Sequence, residues 1–282
     1  MDIKIIDTHI HIWNFERARY TWLEGDTSIL NRSYGLEELL PFFPAAQVWR
    51  GILVQAANNA EDTQLMFETA ARHEQIAGVV GWLPLEDPAA TLRMVEEYQR
   101  NGYFKGVRHL IHNEPDPRWL LQPEVMESLA VLQANDIPYD IVGVNDQHLE
   151  TAIKVAEKLP GLRLVLDHLN QPPITGGERF GKWGELMKAI SGNTKVCAKI
   201  SGLGTVAGGP GWKEEDIEPY IAFVLEAFGP GRCFCGGDWP VSLLAGDYEM
   251  HWAAYRNILS RLLGSDELNK VLHDSARSFY RL

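Results

Sequence analysis

The sequence predicts an α/β chain folded as a single (β/α)8 TIM barrel spanning residues 1–282, and three observations carry that prediction. Short β-branched or apolar runs recur eight times along the chain, with helix-period stretches between them. No GxGxxG turn follows the first run, as an open dinucleotide-binding sheet would require. No composition shift, serine-rich linker or internal repeat marks a second domain.

Taken in order, the strand candidates are Ile3–Ile6, Gly51–Ala56, Gly78–Leu83, Phe104–His109, Tyr139–Val144, Arg163–Asp167, Val196–Ile200 and Arg232–Gly236. Each is short enough for a barrel strand and rich in Val, Ile or Phe, which suit a buried pleated surface. The intervening helical patterns begin at Asp62, Pro88, Pro123, Asp146, Gly181, Lys213 and Tyr248, several of them opened by an Asp or Pro suited to a first turn. A last helix, DELNKVLHDSARSFY, is expected to pack outside the barrel. Two connections are long, Trp13 to Pro44 and Gln171 to Gly181, and in a barrel both hang over the C-terminal mouth as candidate substrate loops.

Composition narrows the partners. Thirty-eight acidic against 26 basic residues give a net charge of -12, which repels phosphate backbones and argues against nucleic acid. The three cysteines are too few and scattered for a disulfide framework, and the charged opening stretch is far short of a signal-peptide core. No window reaches the apolar length of a membrane span. A cytoplasmic protein acting on a small molecule, away from membranes, is the expectation; oligomeric state is left open.

The strongest local signal is Asp7-Thr8-His9-Ile10-His11, because a period of two points His9 and His11 to one face. Two neutral imidazoles form a good chelate for a divalent ion, zinc above all, and such sites commonly add a carboxylate. The alternative is a pair of hydrogen-bonded core histidines. Asp238, in GGDWP where strand eight runs out, becomes a neighbour of strand one once the barrel closes. It is then both a metal ligand and a general base, or else a helix cap.

His168, at the end of strand six, joins the same mouth if it faces inward, as a third ligand, a base or a substrate contact; otherwise it is a satisfied strand-end histidine. Lys199 lies in a strand otherwise written in apolar residues, so it needs an anion. That anion is Asp238, a neighbouring carboxylate or a substrate oxyanion. Strand four ends in Arg108-His109, of which parity lets one face the interior; Arg108 suits a bidentate substrate clamp or a rim ion pair, and His109 is a second substrate-contact candidate. Trp13, Trp22, Trp82, Trp119 and Trp239, near strand ends, offer flat faces for a sugar-like ring, with Trp13 and Trp239 the candidates for substrate contact, though packing explains most tryptophans.

The ordered set D-T-H-x-H-x-W, F-K-G-V-R-H, V-L-D-H-L, K-x-S-G-L and G-G-D-W-P resembles the amidohydrolase superfamily, and within it the amidohydrolase-2 branch that contains sugar lactonases of the L-fuconolactonase and L-rhamnono-lactonase type. The resemblance runs from Asp7 to the closing SARSFYRL. It implies a (β/α)8 barrel that hydrolyses a cyclic ester, with His9, His11 and Asp238 at the family's metal positions and His168 at its sixth-strand histidine. Strand five, Pro138–Val142, has neither the His nor the bridging Lys of many members, which points to one metal ion at most. The expected activity is therefore lactone hydrolysis, with Asp238, His168 and Lys199 catalytic and Arg108, His109, Trp13 and Trp239 on the substrate. Two other readings stand beside it: non-oxidative decarboxylation of an unsaturated or aromatic acid, and non-catalytic binding of a sugar acid.

Overall fold

The computed structural model describes residues 3–176 and 179–282. Its eight strands form one parallel sheet in sequential order: β1 Ile5–Ile10, β2 Val48–Val54, β3 Ile76–Gly81, β4 Phe104–His109, β5 Tyr139–Ile141, β6 Leu164–Leu166, β7 Val196–Ser201 and β8 Cys233–Gly236. The sheet closes on itself. Ile10 bridges Trp239 in parallel, the Asp238 N–H donates to the His9 carbonyl at 2.7 Å, and the His11 N–H donates to the Trp239 carbonyl at 2.7 Å. Helices Ala60–Arg72, Pro88–Tyr98, Pro123–Ala134, Asp146–Lys158, Gly181–Ser191, Glu214–Phe228 and Tyr248–Leu262 follow the later strands, so the barrel prediction holds.

Two details differ from the sequence reading, the length of β1 and the course of the closing segment. β1 continues through Asp7, Thr8 and His9 instead of stopping at the first charge, because each polar group finds a buried partner. Asp7 accepts from the N–H groups of His9 (2.9 Å) and Gly237 (2.8 Å) and from the Tyr248 hydroxyl (2.7 Å), and Thr8 donates to the Cys235 carbonyl (2.7 Å). Burial pushes the Asp7 carboxyl up to about 6 against the pull of those donors. This carboxylate clasps the ends of β1 and β8 together.

The first βα unit lacks a long helix. Its connection is ordered around Trp13, which bridges Tyr34 and leads into short turns at Leu36–Leu39 and Phe43–Ala46. Part of the second long connection, residues 177–178, lies outside the described residues.

The closing segment is not one helix lying outside the barrel. It runs as Ser265–Asn269, a π-helical turn Lys270–Asp274 and a last helix Ser275–Tyr280. Ala276, Phe279 and Tyr280 plug the barrel interior from below, packing on Ile6, Ile52, Val80, Val165, Cys197 and Phe234. The apolar lower barrel leaves the polar layer above it at the C-terminal ends of the strands, where this architecture places its chemistry.

Candidate active site

Paired strands set which side chains share the interior. Arg108 of β4 is level with Asp140 of β5, Asp140 with Val165, Val165 with Cys197, and Lys199 with Phe234. In β1 the register against β2 slips between Asp7 and Ile10. That slip re-aims the strand, so Ile6 below and His9 and His11 above all point inward despite their mixed parity.

Four residues from the ends of three strands, β1, β6 and β8, converge above this layer. The Nε2 atoms of His9 and His11 are 3.1 Å apart, and Asp238 Oδ1 lies 3.7 Å from the first and 3.5 Å from the second. The His11 Nδ1–H donates to the Val54 carbonyl at 2.8 Å, which leaves its Nε2 lone pair pointing at the cluster. A tetrahedral zinc with bonds of about 2.0–2.1 Å has ligand-to-ligand edges of roughly 3.3 Å, so these three donors fit such an ion. His168 belongs to the same knot: its donor nitrogen, one from His9 and an oxygen of Asp238 all lie within 4.8 Å of one another. Arg108 Nη1 also lies 2.9 Å from His9 Nε2, so the guanidinium and a bound ion would compete for one lone pair.

Backbone strain is concentrated here. His168, Leu169, Asn170 and Gln171 have φ of 53°, 51°, 53° and 47°, and Asp238 has φ 56°, all in the left-handed region. Such non-glycine residues cost of order 1–3 kcal/mol each and persist where the surroundings fix them. The turn also overrides strand parity. Alternation carries Asp167 inward with Val165, to Lys199 (2.8 Å), and sends His168 outward; the left-handed bend brings His168 to the cavity instead.

Ser201 receives the His168 backbone N–H at 3.3 Å and sits 2.9 Å from its Nδ1. With the hydroxyl donating to Nδ1, Nε2 carries the ring proton. Burial keeps the His168 imidazole below the ordinary histidine range, although Asp238 and Asp167 pull the other way. Burial alone would raise Asp238, but His168, the bond to His11 and Arg108 outweigh it and hold the carboxylate below its usual range.

A cavity of about 200 Å³ opens over this floor. His11, Arg108, His168 and Asp238 form its polar side, while Leu110, Val142, Val144, Val206 and Val241 with Trp22 form an apolar wall.

Several sequence-predicted contacts do not reach it. Lys199 is fully buried below His9, with Nζ 2.6 Å from Asp140 and 2.8 Å from Asp167; its anions are neighbouring carboxylates. His109 faces away from the cavity, where Glu114 (2.7 Å), Asn58 (2.9 Å) and Trp82 (3.1 Å) occupy both ring nitrogens and Trp119 stacks on its face. Trp13 and Trp239 are both buried, each edge-on to Tyr34, and neither lines the cavity. The aromatic that does so is Trp22, anchored by its Nε1–H to the Ala56 carbonyl at 2.7 Å.

The family model described as amidohydrolase matches residues 6–282. This chain belongs to the amidohydrolase family. The amidohydrolase is 32% identical over 280 residues to an L-fucono-1,5-lactonase of Burkholderia ambifaria, covering 98% of this chain and 95% of that one. It is 32% identical to an L-fucono-1,5-lactonase of Burkholderia multivorans, over 86% of this chain and 84% of that one. A crystal structure of an amidohydrolase from Burkholderia multivorans with bound zinc superposes with a TM-score of 0.90 at 30% identity, covering 99% of both chains. Among the described residues no helix is long and apolar enough to cross a membrane.

Proposed function

We propose that this amidohydrolase opens the cyclic ester of a small sugar lactone, with Asp238 as the proton-transferring base. The observation that carries the reading is the Asp238 carboxylate, held ionised at the cavity floor between His11 and His168 with Arg108 alongside. The relatives named L-fucono-1,5-lactonase support the substrate class.

His9, His11 and Asp238 are the residues that would hold a divalent ion, and the zinc-bound relative makes zinc the first candidate. Such an ion supplies Lewis acidity at a carbonyl and acidifies water. The chain's own groups do the rest. Asp238 accepts a proton from the attacking water as its oxygen bonds to the lactone carbonyl carbon. Arg108 Nη1 and the His168 Nε2–H donate to the carbonyl oxygen as negative charge gathers there, in a site shielded from water where such donors count most. When the ring C–O bond breaks, Asp238 returns its proton to the departing alkoxide, and the product is the open hydroxy acid. The apolar wall of Val142, Val144, Val206 and Val241 receives the less polar edge of the ring.

The test is a pH-indicator assay across a panel of aldonolactones, run on metal-analysed protein before and after chelation. Acid release on at least one lactone is expected, falling by about 10²–10⁴-fold in Asp238→Asn while the circular dichroism spectrum stays unchanged. A silent panel, or full turnover in the variant, overturns the reading.

A further inference from the structure

His9 has a cationic donor on each ring nitrogen and a lone pair for only one of them. Lys199 Nζ lies 3.3 Å from Nδ1, and Arg108 Nη1 lies 2.9 Å from Nε2. If Lys199 donates to Nδ1, the ring proton sits on Nε2, and that nitrogen neither binds an ion nor accepts from Arg108. If Nδ1 carries the proton, it faces Asp167 Oδ1, 3.6 Å away, and Nε2 is free.

The shorter contacts of Lys199 lead elsewhere. It donates to Asp140 Oδ2 at 2.6 Å and pairs with Asp167 Oδ1 at 2.8 Å. Asp140 Oδ2 in turn accepts from the Tyr280 hydroxyl at 2.6 Å, on the last helix beneath the barrel. All of these side chains are buried, so no solvent competes for their protons.

We propose that Asp140 and Tyr280 are positioning residues: by holding the Lys199 ammonium on the two carboxylates, they keep the ring proton of His9 on Nδ1 and its Nε2 lone pair facing the cavity. The chain Tyr280–Asp140–Lys199 thereby links the C-terminal helix to a residue of the metal cluster across the barrel interior. With Asp140 neutralised, Lys199 keeps one carboxylate and turns a proton to Nδ1, and the imidazole moves its own proton to Nε2. The inference rests on the metal-binding part of the preceding proposal and is independent of the substrate.

The test uses the full chain carrying Asp140→Asn or Tyr280→Phe, with nitrogen-15 histidine spectra assigned through a His9→Gln control, and calorimetric zinc titration. In the parent, His9 Nε2 shows the shift of an unprotonated ring nitrogen. Asp140→Asn is expected to move it to the protonated position and to weaken zinc binding about 10–100-fold, the usual effect of losing a group that orients a ligand. Tyr280→Phe, which keeps the ring and removes only the hydroxyl, should change both readouts in the same direction by less. Spectra and zinc affinity identical to the parent in both variants, with only the melting temperature lowered, overturn the proposal. Should Asp140→Asn fail to fold, Tyr280→Phe decides alone; should the parent take no zinc, the spectra decide. Neither readout uses lactone turnover, so a wrong substrate assignment does not disturb them.

Discussion

Gly202 shows how little room the site leaves. It follows β7 with φ +62°, and a Cβ built there would lie 2.7 Å from Asp238 Oδ2 and 2.8 Å from His168 Nδ1. Any side chain would wedge between Asp238 and His168, the base and an oxyanion donor of the proposed reaction, besides the cost of about 1–2 kcal/mol for a left-handed non-glycine residue. Gly202→Ala is therefore expected to lose about 100-fold in kcat/KM on whichever lactone the parent opens, with a melting temperature lower by only a few degrees. Parental turnover would show that the contact between Asp238 and His168 is dispensable. Most of the polar floor was legible in the primary structure: the HxH period, the Asp after strand eight, and an Arg that parity could turn inward. Asp140 and Asp167 were missed. The signal existed for Asp140, since a charged residue in an apolar strand demands a partner, the rule that singled out Lys199. Asp167 was hidden because alternation lets only one of Asp167 and His168 face inward and His168 was given that place; Asp167 points in with Val165, and the left-handed turn that starts at His168 brings the histidine in as well.

At the scale of elements, the last helix joins the barrel interior instead of covering its outside. Phe279 packs on Phe234 with ring centroids 5.3 Å apart and meets Tyr280 edge-on at 4.8 Å. Phe279→Ala empties an aromatic site in a closed layer, and a loss of about 3–5 kcal/mol in urea unfolding is expected. A smaller loss, under about 1 kcal/mol, would mean the plug collapses into the space without cost. The first strand carries a comparable lesson. Its apolar opening residues are readable as a strand, but the register slip that aims both imidazoles into one interior depends on pairing with β2 and β8. Helix placement was the easier part, because each of the seven crossover helices buries a stripe with its own period.

Across the whole molecule, Asp62 ties the first connection to the loop after β2 and to the helix that follows it. It accepts from the Tyr20 hydroxyl (2.9 Å) in the first connection and from Ala56 N (2.8 Å) after β2, and it stands in the first turn of helix Ala60–Arg72. Burial pushes its carboxyl from 3.8 up to about 7 despite those donors. The folded chain thus binds this proton more tightly than the unfolded one. The stabilisation is present in full below the unfolded value and is lost as pH rises through the folded value. Comparing Asp62→Asn with the parent by urea unfolding, the stability difference should move in favour of the variant between pH 3.8 and about 7 and stay level above. Parallel curves across that window would mean Asp62 is ionised throughout, held by its backbone donors.

The amino-acid order alone determined the barrel, since eight apolar runs and the helical stripes between them each carry a local period that burial enforces. It also supplied the metal-ligand candidates, because residue type and spacing limit which side chains can share an ion. Tertiary structure decided which polar groups face the cavity and which are consumed beneath it. Closure, a register slip and a left-handed turn brought His9, His11, His168 and Asp238 together, while Lys199, His109, Trp13 and Trp239 found buried partners away from the cavity. These depend on contacts between segments far apart in the chain, where no local period reaches.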